Sequence, residues 1–174
     1  MKPGAGIRAG EDVKAARGTR PGDALPPLEI PVTRTLVIAG AIASRDYQDV
    51  HHDPVLAREK GAPDIFMNIL TTNGLVGRYI TDHFGPTTVL HKVAIRLGAP
   101  NHPGDTLLLT GTVEAVDGAE IVVRVIGDNG VGRHVTGTVT LTVPAPQQHL
   151  PPPSPPPPPS SPPPPSSPAP EVLP

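Results

Sequence analysis

Proline is distributed unevenly along this chain, and that distribution limits what can fold. Of the 27 prolines in 174 residues, seventeen lie between Pro144 and Pro174. Because proline fixes φ and has no N–H to donate, this last stretch is excluded from helices and sheet ladders. Residues 1–27 are rich in glycine, proline and charge and lack apolar periodicity. We therefore expect a disordered N-terminal segment over residues 1–27, one domain over residues 28–145 and a disordered Pro/Ser-rich tail over residues 146–174.

Charge and composition exclude several classes of function. The net charge is −2 and the lysines and arginines are scattered, so the chain lacks the basic footprint of a nucleic-acid-binding protein. No apolar run approaches the roughly 18 residues that span a bilayer, and the N-terminus lacks the apolar stretch of a secretory signal. Cysteine is absent, which excludes disulfides and thiolate metal or redox sites. We expect a cytoplasmic protein that binds neither nucleic acid nor membrane.

The first half of the candidate domain has the patterns of one strand and several helices. Apolar residues alternate over residues 30–37, which predicts a strand, and residues 38–44 are small and apolar enough for one or two helical turns. Residues 54–61 begin with proline and end with glycine, as short helices do. Over residues 68–82 an asparagine N-cap precedes apolar side chains at helical spacing. Because two glycines weaken this stretch, it is predicted to be a buried helix that depends on packing against strands.

The second half of the domain is rich in valine, isoleucine, leucine and threonine. Turn-like breaks with the sequences GAPNHPGD, DGAE and DNGVG divide it into four segments. Four successive strands with short turns predict an antiparallel meander. A strand, then helices, then four strands predict an α+β fold in which one antiparallel sheet wraps around one central helix. The four predicted strands cover residues 87–97, 105–116, 121–128 and 134–143.

Carboxylates and imidazoles are concentrated in one short stretch, at Asp46, Asp49, His51, His52 and Asp53. Histidine titrates near neutral pH and a nearby carboxylate can orient it, so this stretch is suited to general acid–base catalysis. The same residues are typical of a polar loop in which aspartates cap helices and histidines face solvent. A metal site formed by the last three is a third interpretation, weakened because adjacent side chains rarely converge on one ion. Local sequence leaves all three open.

The wider sequence resembles a known family. The stretch AIASRDYQDVHHDPVLA, an apolar helix and the later RLGAPNHPGDTL together resemble the MaoC-like hydratases and dehydratases, which have the hotdog fold. Their signature is D-x-N-P-x-H-x-D-P, followed by the central helix and a P-x-x-x-G-D turn into a strand. Asp46 and His51 stand at the spacing of the family's acid–base pair, Asp53 and Pro54 follow in place, and Pro100 precedes the Gly-Asp of the later turn. The resemblance covers residues 28–143.

A closer resemblance is to the smaller MaoC-like subunit of the heteromeric actinobacterial enoyl-CoA hydratases that act on steroid side chains. DYQDVHHD and DIFMNILTTNGLVGRYITD carry it, and Gln48 and Asp49 stand where most of the family has N-P, as in that group. It implies a hydratase of trans-2-enoyl-CoA thioesters, with a bulky steroid side-chain CoA ester as substrate. No metal and no cofactor are implied, since the CoA thioester is itself the substrate. The implied partner is a second MaoC-like chain, in a heterodimer or heterotetramer, or a second copy in a homodimer.

The resemblance also implies roles for individual residues. His51 would act as base on a water that attacks C3, and Asp46 would orient that water and help to return a proton at C2. The N-terminus of the long helix, at Asn68 and Ile69, would meet enolate-like charge on the thioester oxygen. Most family members have glycine where this chain has Asn68, which would serve either as a helix cap or as a backbone donor. The neighbours expected to shape the pocket or support its loop are Tyr47, Asp49 and His52.

Two alternative functions stay open beside the hydratase. One is a dehydratase of 3-hydroxyacyl groups carried by acyl carrier protein, because the same acid–base pair runs the reverse reaction. The other is a non-catalytic hotdog scaffold subunit whose partner performs the chemistry. The presence of both Asp46 and His51 argues against a scaffold, which has no need of both.

Overall fold

Five strands and three helices form between residues 18 and 144, the part of the chain that the computed structural model describes. Residues 1–17 and the Pro/Ser-rich tail from residue 145 lie outside the described residues, so the disorder expected there stays a prediction. In chain order the elements are β1 (Ala24–Pro31), α1 (Arg34–Ala43), a 3₁₀ turn (Asp49–His51), α2 (Pro54–Glu59), α3 (Ile69–Phe84), β2 (Val89–Leu97), β3 (Thr106–Asp117), β4 (Glu120–Asp128) and β5 (Arg133–Thr142).

The strands make one antiparallel sheet in the order β1-β3-β4-β5-β2, with α3 packed against it, which confirms the predicted α+β fold. Burial alternates along the central strands, so that Leu109, Val123 and Val125 are fully buried on the face toward α3. The helix buries Val76 and Ile80 in the same core. Burial of this aliphatic core stabilises a helix whose own sequence favours it only weakly.

The predicted meander is correct for three strands and wrong for β2. β3, β4 and β5 pair in sequence order, but β2 lies at the far edge and pairs with β5, for example Leu97 with Val135. The turns DGAE and DNGVG are short enough for hairpins, whereas the connection GAPNHPGD is longer than a usual hairpin loop of about two to five residues. That longer connection carries the chain from β2, at one edge of the sheet, past β5 and β4 to β3.

The strand predicted over residues 30–37 is wrong beyond Pro31. β1 ends at Pro31 and α1 begins at Arg34. Thr33 is the N-cap of α1, because its hydroxyl oxygen accepts the N–H of Leu36 at 3.0 Å. The short alternation of apolar residues imitates a strand. The buried residues of α1 are four positions apart, at Val37 and Ala41, which is helical spacing. The predicted helical turns over residues 38–44 belong to this longer helix.

The domain begins earlier than the predicted boundary at residue 28. β1 starts at Ala24, and Leu25 is only 4% exposed because it packs into the core. Two adjacent prolines, Pro26 and Pro27, lie within this strand and have no N–H to donate to the ladder. They are accommodated because β1 is an edge strand and its pairing with β3 shifts register between Leu25 and Leu28. β1 therefore includes residues 24–27, which composition assigns to the N-terminal segment.

The two remaining helix predictions are confirmed. α2 has Pro54 at its first turn and is followed by Gly61, whose φ is +90°. α3 is capped by Asn68 and runs two residues past the predicted end, to Phe84, before Gly85 with φ 96°. None of the helices between residues 18 and 144 has the length and apolar character needed to cross a membrane.

Candidate active site

The loop between α1 and α2 brings Asp46 to face His51. It begins at Arg45, which has a left-handed φ of 57° that reverses the chain after α1. The N–H of Asp46 donates to the Ala41 carbonyl at 2.9 Å, which fixes the start of the loop against that helix. Farther along, the 3₁₀ turn is closed by the His51 N–H, which donates to the Gln48 carbonyl at 3.0 Å. Local backbone bonds thus set both side chains on one side of the loop.

The imidazole of His51 is oriented by a backbone carbonyl. Its Nδ1 lies 2.7 Å from the carbonyl oxygen of Phe66, and a carbonyl can only accept, so Nδ1 carries the proton. The ring of Phe66 meets the imidazole edge-on with centroids 5.1 Å apart, and the His51 side chain is 8% exposed. In the neutral ring Nε2 is therefore the nitrogen without a proton, and it lies 3.4 Å from Oδ2 of Asp46.

Asn68 holds the carboxylate of the pair. Its Nδ2 donates to Oδ2 of Asp46 at 3.1 Å and to Oγ of Ser44 at 2.8 Å, and the residue is 2% exposed. A hydrogen bond to an ionised acceptor is stronger than one between neutral groups, and the surrounding protein leaves little water to compete with it. Asp46 is thereby tied to the end of α1 and to the start of α3.

The facing atoms of the pair are suited to binding and deprotonating a small hydroxyl group. When the imidazole is neutral and the carboxyl is ionised, Nε2 of His51 and Oδ2 of Asp46 are both acceptors, so they do not bond directly to one another. A water molecule can donate one proton to each. Nε2 is then placed to take a proton, while the carboxylate orients the water and stabilises the imidazolium that forms. The structure thus brings together the two residues that the sequence pairs.

The N-terminus of α3 lies directly beside this pair. Oδ1 of Asn68 accepts the N–H of Thr71 at 2.9 Å, so the same side chain caps the helix and holds Asp46. The first N–H groups of an α-helix have no acceptor within the helix, which directs those of Ile69 and Leu70 out of its positive end. Their side chains are 46% and 49% exposed. The role of Asn68 and Ile69 as donors to a thioester oxygen stays a prediction.

The three neighbours predicted to shape or support the site lie on its outer side. Tyr47 is 66% exposed. Nζ of Lys60 bonds the Asp49 carboxylate at 2.6 Å, and this bond together with the lysine charge lowers the pKa of Asp49. Nε2 of His52 lies 3.2 Å from the backbone carbonyl of Tyr47. These contacts support the loop from outside.

The groups weighed as metal ligands diverge in the structure. His51 bonds the Phe66 carbonyl and His52 the Tyr47 carbonyl. Oδ1 of Asp53 accepts the N–H groups of Val55 and Leu56, which makes it the N-cap of α2. Each side chain therefore has its own partner in a different direction, and these three residues do not form a chelate.

Two contributors to the site were missed by the sequence analysis. Ser44 accepts from Asn68, and Phe66 acts through its backbone carbonyl and its ring. Ser44 lies in a stretch interpreted only as small and helical, and a carbonyl role leaves no trace in the residue type. The approach of residues 44–51 to residues 66–68 is a long-range contact, which spacing along the chain does not reveal.

Comparison with known proteins gives one close relative among characterised sequences. The chain is 45% identical over 122 residues to the 3-oxo-4,17-pregnadiene-20-carboxyl-CoA hydratase beta subunit of Mycobacterium tuberculosis. The match covers 70% of this chain and 95% of the relative. No family model matches the chain.

Solved structures agree in fold. The crystal structure of the ChsH1-ChsH2 complex from Mycobacterium tuberculosis matches with a TM-score of 0.71 and 44% identity, over 72% of this chain and 99% of that one. The unliganded R-hydratase PhaJ1 from Pseudomonas aeruginosa matches with a TM-score of 0.69 at 18% identity, over 74% of this chain and 84% of that one. The (R)-hydratase from A. caviae involved in PHA biosynthesis has a TM-score of 0.68 at 17% identity, over 74% and 99% of the two chains. The latter two likenesses concern the fold alone.

Proposed function

The chain belongs to the MaoC-like hydratase family with the hotdog fold, in the group of the mycobacterial beta subunit, and we propose that it is the catalytic subunit of an enoyl-CoA hydratase. The observation that carries this proposal is the pair itself, with Nε2 of His51 3.4 Å from Oδ2 of Asp46 and Nδ1 bonded to the Phe66 carbonyl. A scaffold subunit would not need a buried histidine whose tautomer is fixed for use as a base.

The proposed reaction adds water across the double bond of a trans-2-enoyl-CoA. Water bound beside the pair, in contact with both side chains, loses a proton to Nε2 of His51 while its oxygen bonds C3 of the substrate. The electrons of the double bond move onto C2 and the thioester oxygen. C2 then takes a proton returned through the imidazolium, with Asp46 holding the geometry, so the net change is addition of H and OH.

The charge that develops on the thioester oxygen is met by the start of α3. The N–H groups of Ile69 and Leu70, which have no acceptor within the helix, and the helix dipole supply a positive field there without reorganisation. Asn68 connects this donor to the acid–base pair, because its Nδ2 bonds Oδ2 of Asp46 at 3.1 Å. Both halves of the chemistry are thereby positioned by one residue.

The proposed substrate is a CoA ester of a steroid side-chain acid, the class of compound named in the relative at 45% identity. The proposed partner is a second MaoC-like subunit, as in the complex that matches at 44% identity. The exposed apolar side chains around the pair support both, since an acyl group or a partner chain would cover them. These side chains are Ile42, Tyr47, Ile69 and Leu70.

A hydration assay with matched variants tests the proposal. The full chain, alone and co-purified with a second MaoC-like subunit, is supplied with 3-oxo-4,17-pregnadiene-20-carboxyl-CoA, with crotonyl-CoA and with a crotonyl-acyl carrier protein. We expect the steroid ester to react fastest and Asp46→Asn and His51→Gln each to lower kcat by about 100-fold or more. His52→Gln is the control, because the His52 imidazole is exposed and its Nε2 bonds the Tyr47 carbonyl rather than Asp46.

The outcomes separate the alternatives. Preference for the acyl-carrier-protein thioester would identify a dehydratase of carrier-bound acyl groups. Unchanged turnover in both the Asp46 and the His51 variants would mean that the partner performs the chemistry and that this chain is a scaffold. Sedimentation of the chain with and without the second subunit distinguishes a heteromer from a homodimer.

A further inference from the structure

A β-bulge in β5 turns a histidine into the protein interior. Gly127 pairs with Val135 and the next residue of β4, Asp128, pairs with Arg133, so His134 is one residue too many for the ladder. A bulge of this kind re-aims the side chain of the extra residue. His134 is 1% exposed, although it lies next to the core residue Val135 and would face away from α3 in a regular strand.

The buried imidazole of His134 bonds at both nitrogens. Nδ1 lies 2.7 Å from the Ala99 carbonyl and therefore carries the proton, and Nε2 lies 2.9 Å from Oγ1 of Thr72. Burial lowers the pKa of His134 and so favours the neutral ring. The Ala99 carbonyl and the charge of Asp105 oppose this effect but do not outweigh it. Nε2 of the neutral ring can only accept, so the Thr72 hydroxyl donates to it.

Thr72 lies in the first turn of α3, one helical turn after Asn68. Its N–H donates to the Asn68 carbonyl at 3.2 Å, while its hydroxyl proton is directed to His134. The side chain of Asn68 in turn reaches Oδ2 of Asp46 at 3.1 Å. A continuous set of polar contacts thus runs from the bulge in β5, through the first turn of α3, to the carboxylate of the candidate active site.

We propose that His134 is a positioning residue for the hydratase reaction, which acts through Thr72 to fix the first turn of α3 and so the amide of Asn68 against Asp46. The inference rests on the proposed function for its kinetic consequence. α3 begins after a loop, and the bond from Thr72 to His134 fastens its first turn to the sheet. A small displacement of that turn moves both the partner of Asp46 and the N–H groups that face the thioester, and such displacements lower rates steeply.

Two pairs of variants separate this link from simple stability. The Thr72→Ser variant keeps the hydroxyl and Thr72→Val removes it at nearly constant shape. In His134→Gln an amide oxygen can replace Nε2 as acceptor, whereas in His134→Asn the amide can replace only Nδ1 as donor to Ala99. The control is Thr81→Val, at the other end of the same helix, where Oγ1 bonds the Arg78 carbonyl at 3.1 Å near the surface.

We expect the valine and asparagine variants to lower kcat about tenfold with KM little changed, and the serine and glutamine variants to stay within about threefold of the wild type. The double variant Thr72→Val, His134→Asn should have a kcat no lower than either single variant, because both substitutions break the same contact between Thr72 and His134. Equal turnover of the serine and valine variants, or a loss of kcat in Thr81→Val as large as in Thr72→Val, would overturn the proposal.

Amide hydrogen exchange of the full chain gives a readout that needs no substrate. In Thr72→Val we expect faster exchange at Thr71, whose N–H donates to Oδ1 of Asn68, with the amides of β3 and β4 unchanged. Faster exchange throughout the sheet would show a purely structural role and contradict the positioning role. If the wild type hydrates no enoyl-CoA but exchange changes only in the first turn of α3, the proposed function fails and the link from His134 to Asn68 stands.

Discussion

The amide nitrogen of Asn68 donates to the carboxylate of Asp46 across 3.1 Å, while the amide oxygen of the same side chain caps α3. If the side chain only capped the helix, serine or aspartate would serve equally well at this position. The second bond requires a donor atom separate from the oxygen that caps the helix, and among the good N-cap residues only asparagine has both. Asn68 therefore couples the stability of α3 to the geometry of the acid–base pair.

Substitution of Asn68 should separate these two roles. Asn68→Ser keeps a helix cap and loses the donor to Asp46, so we expect kcat for enoyl-CoA hydration to fall about tenfold or more, in line with a lost bond to a charged group. Thr33→Ala removes the equivalent cap from α1, where Oγ1 accepts the Leu36 N–H at 3.0 Å at the surface. That control should cost about 1 kcal/mol of unfolding free energy and leave kcat unchanged. A serine variant with wild-type kcat would reduce Asn68 to a cap.

The contact between α1 and α3 should be sensitive to a single methyl group. A Cβ at Gly40 would overlap Oγ1 of Thr71 and approach Cβ of Thr71 to 3.0 Å, which a change of rotamer does not relieve. Gly40→Ala should therefore lower the free energy of unfolding by about 1–3 kcal/mol. Gly74→Ala, on the same pair of helices but with no atom within 4 Å of the new Cβ, should raise it by up to about 1 kcal/mol. Urea denaturation compares the two, and equal effects would contradict the packing.

The N-terminal boundary of the fold can be tested at Leu25. Truncation of this buried side chain in Leu25→Ala should cost about 2–5 kcal/mol of unfolding free energy, since it leaves a cavity in the core. Leu28→Ala, at a partly buried position of the same strand, should cost less. A domain that begins only at residue 28 would be insensitive to the first change, so thermal and urea denaturation of the two variants decide the matter.

Acidification should destabilise the fold through His134. Its pKa is lowered in the folded protein by burial, so the unfolded chain binds a proton that the folded one does not. The stability from this residue is complete above its ordinary pKa of about 6.5 and is lost as pH falls from that value toward the lowered pKa. Comparison of urea midpoints at about pH 7.5 and about pH 5.5 should show a smaller loss in His134→Gln than in the wild type. An identical loss in both would remove His134 as the cause.

The sequence by itself determined the ordering of elements in most of the chain and the identity of the facing pair. Helical spacing placed α3, and the content of valine, isoleucine, leucine and threonine between turn-like breaks placed the last four strands, because spans of nine or more residues leave a clear pattern. The resemblance carried by DYQDVHHD paired Asp46 with His51. In the structure the loop between them is closed by its own backbone hydrogen bonds, which bring the two side chains face to face.

Tertiary structure alone decided where the strands lie and what surrounds the pair. The position of β2 beside β5, the inclusion of Pro26 and Pro27 in an edge strand, and the bulge at His134 are all set by pairing between distant segments. The same holds for the bond from Asn68 to Asp46 and for the Phe66 carbonyl that fixes the tautomer of His51. Local sequence encodes local preference, whereas register and hydrogen bonds between remote residues depend on how the whole core packs, which no short window of sequence contains.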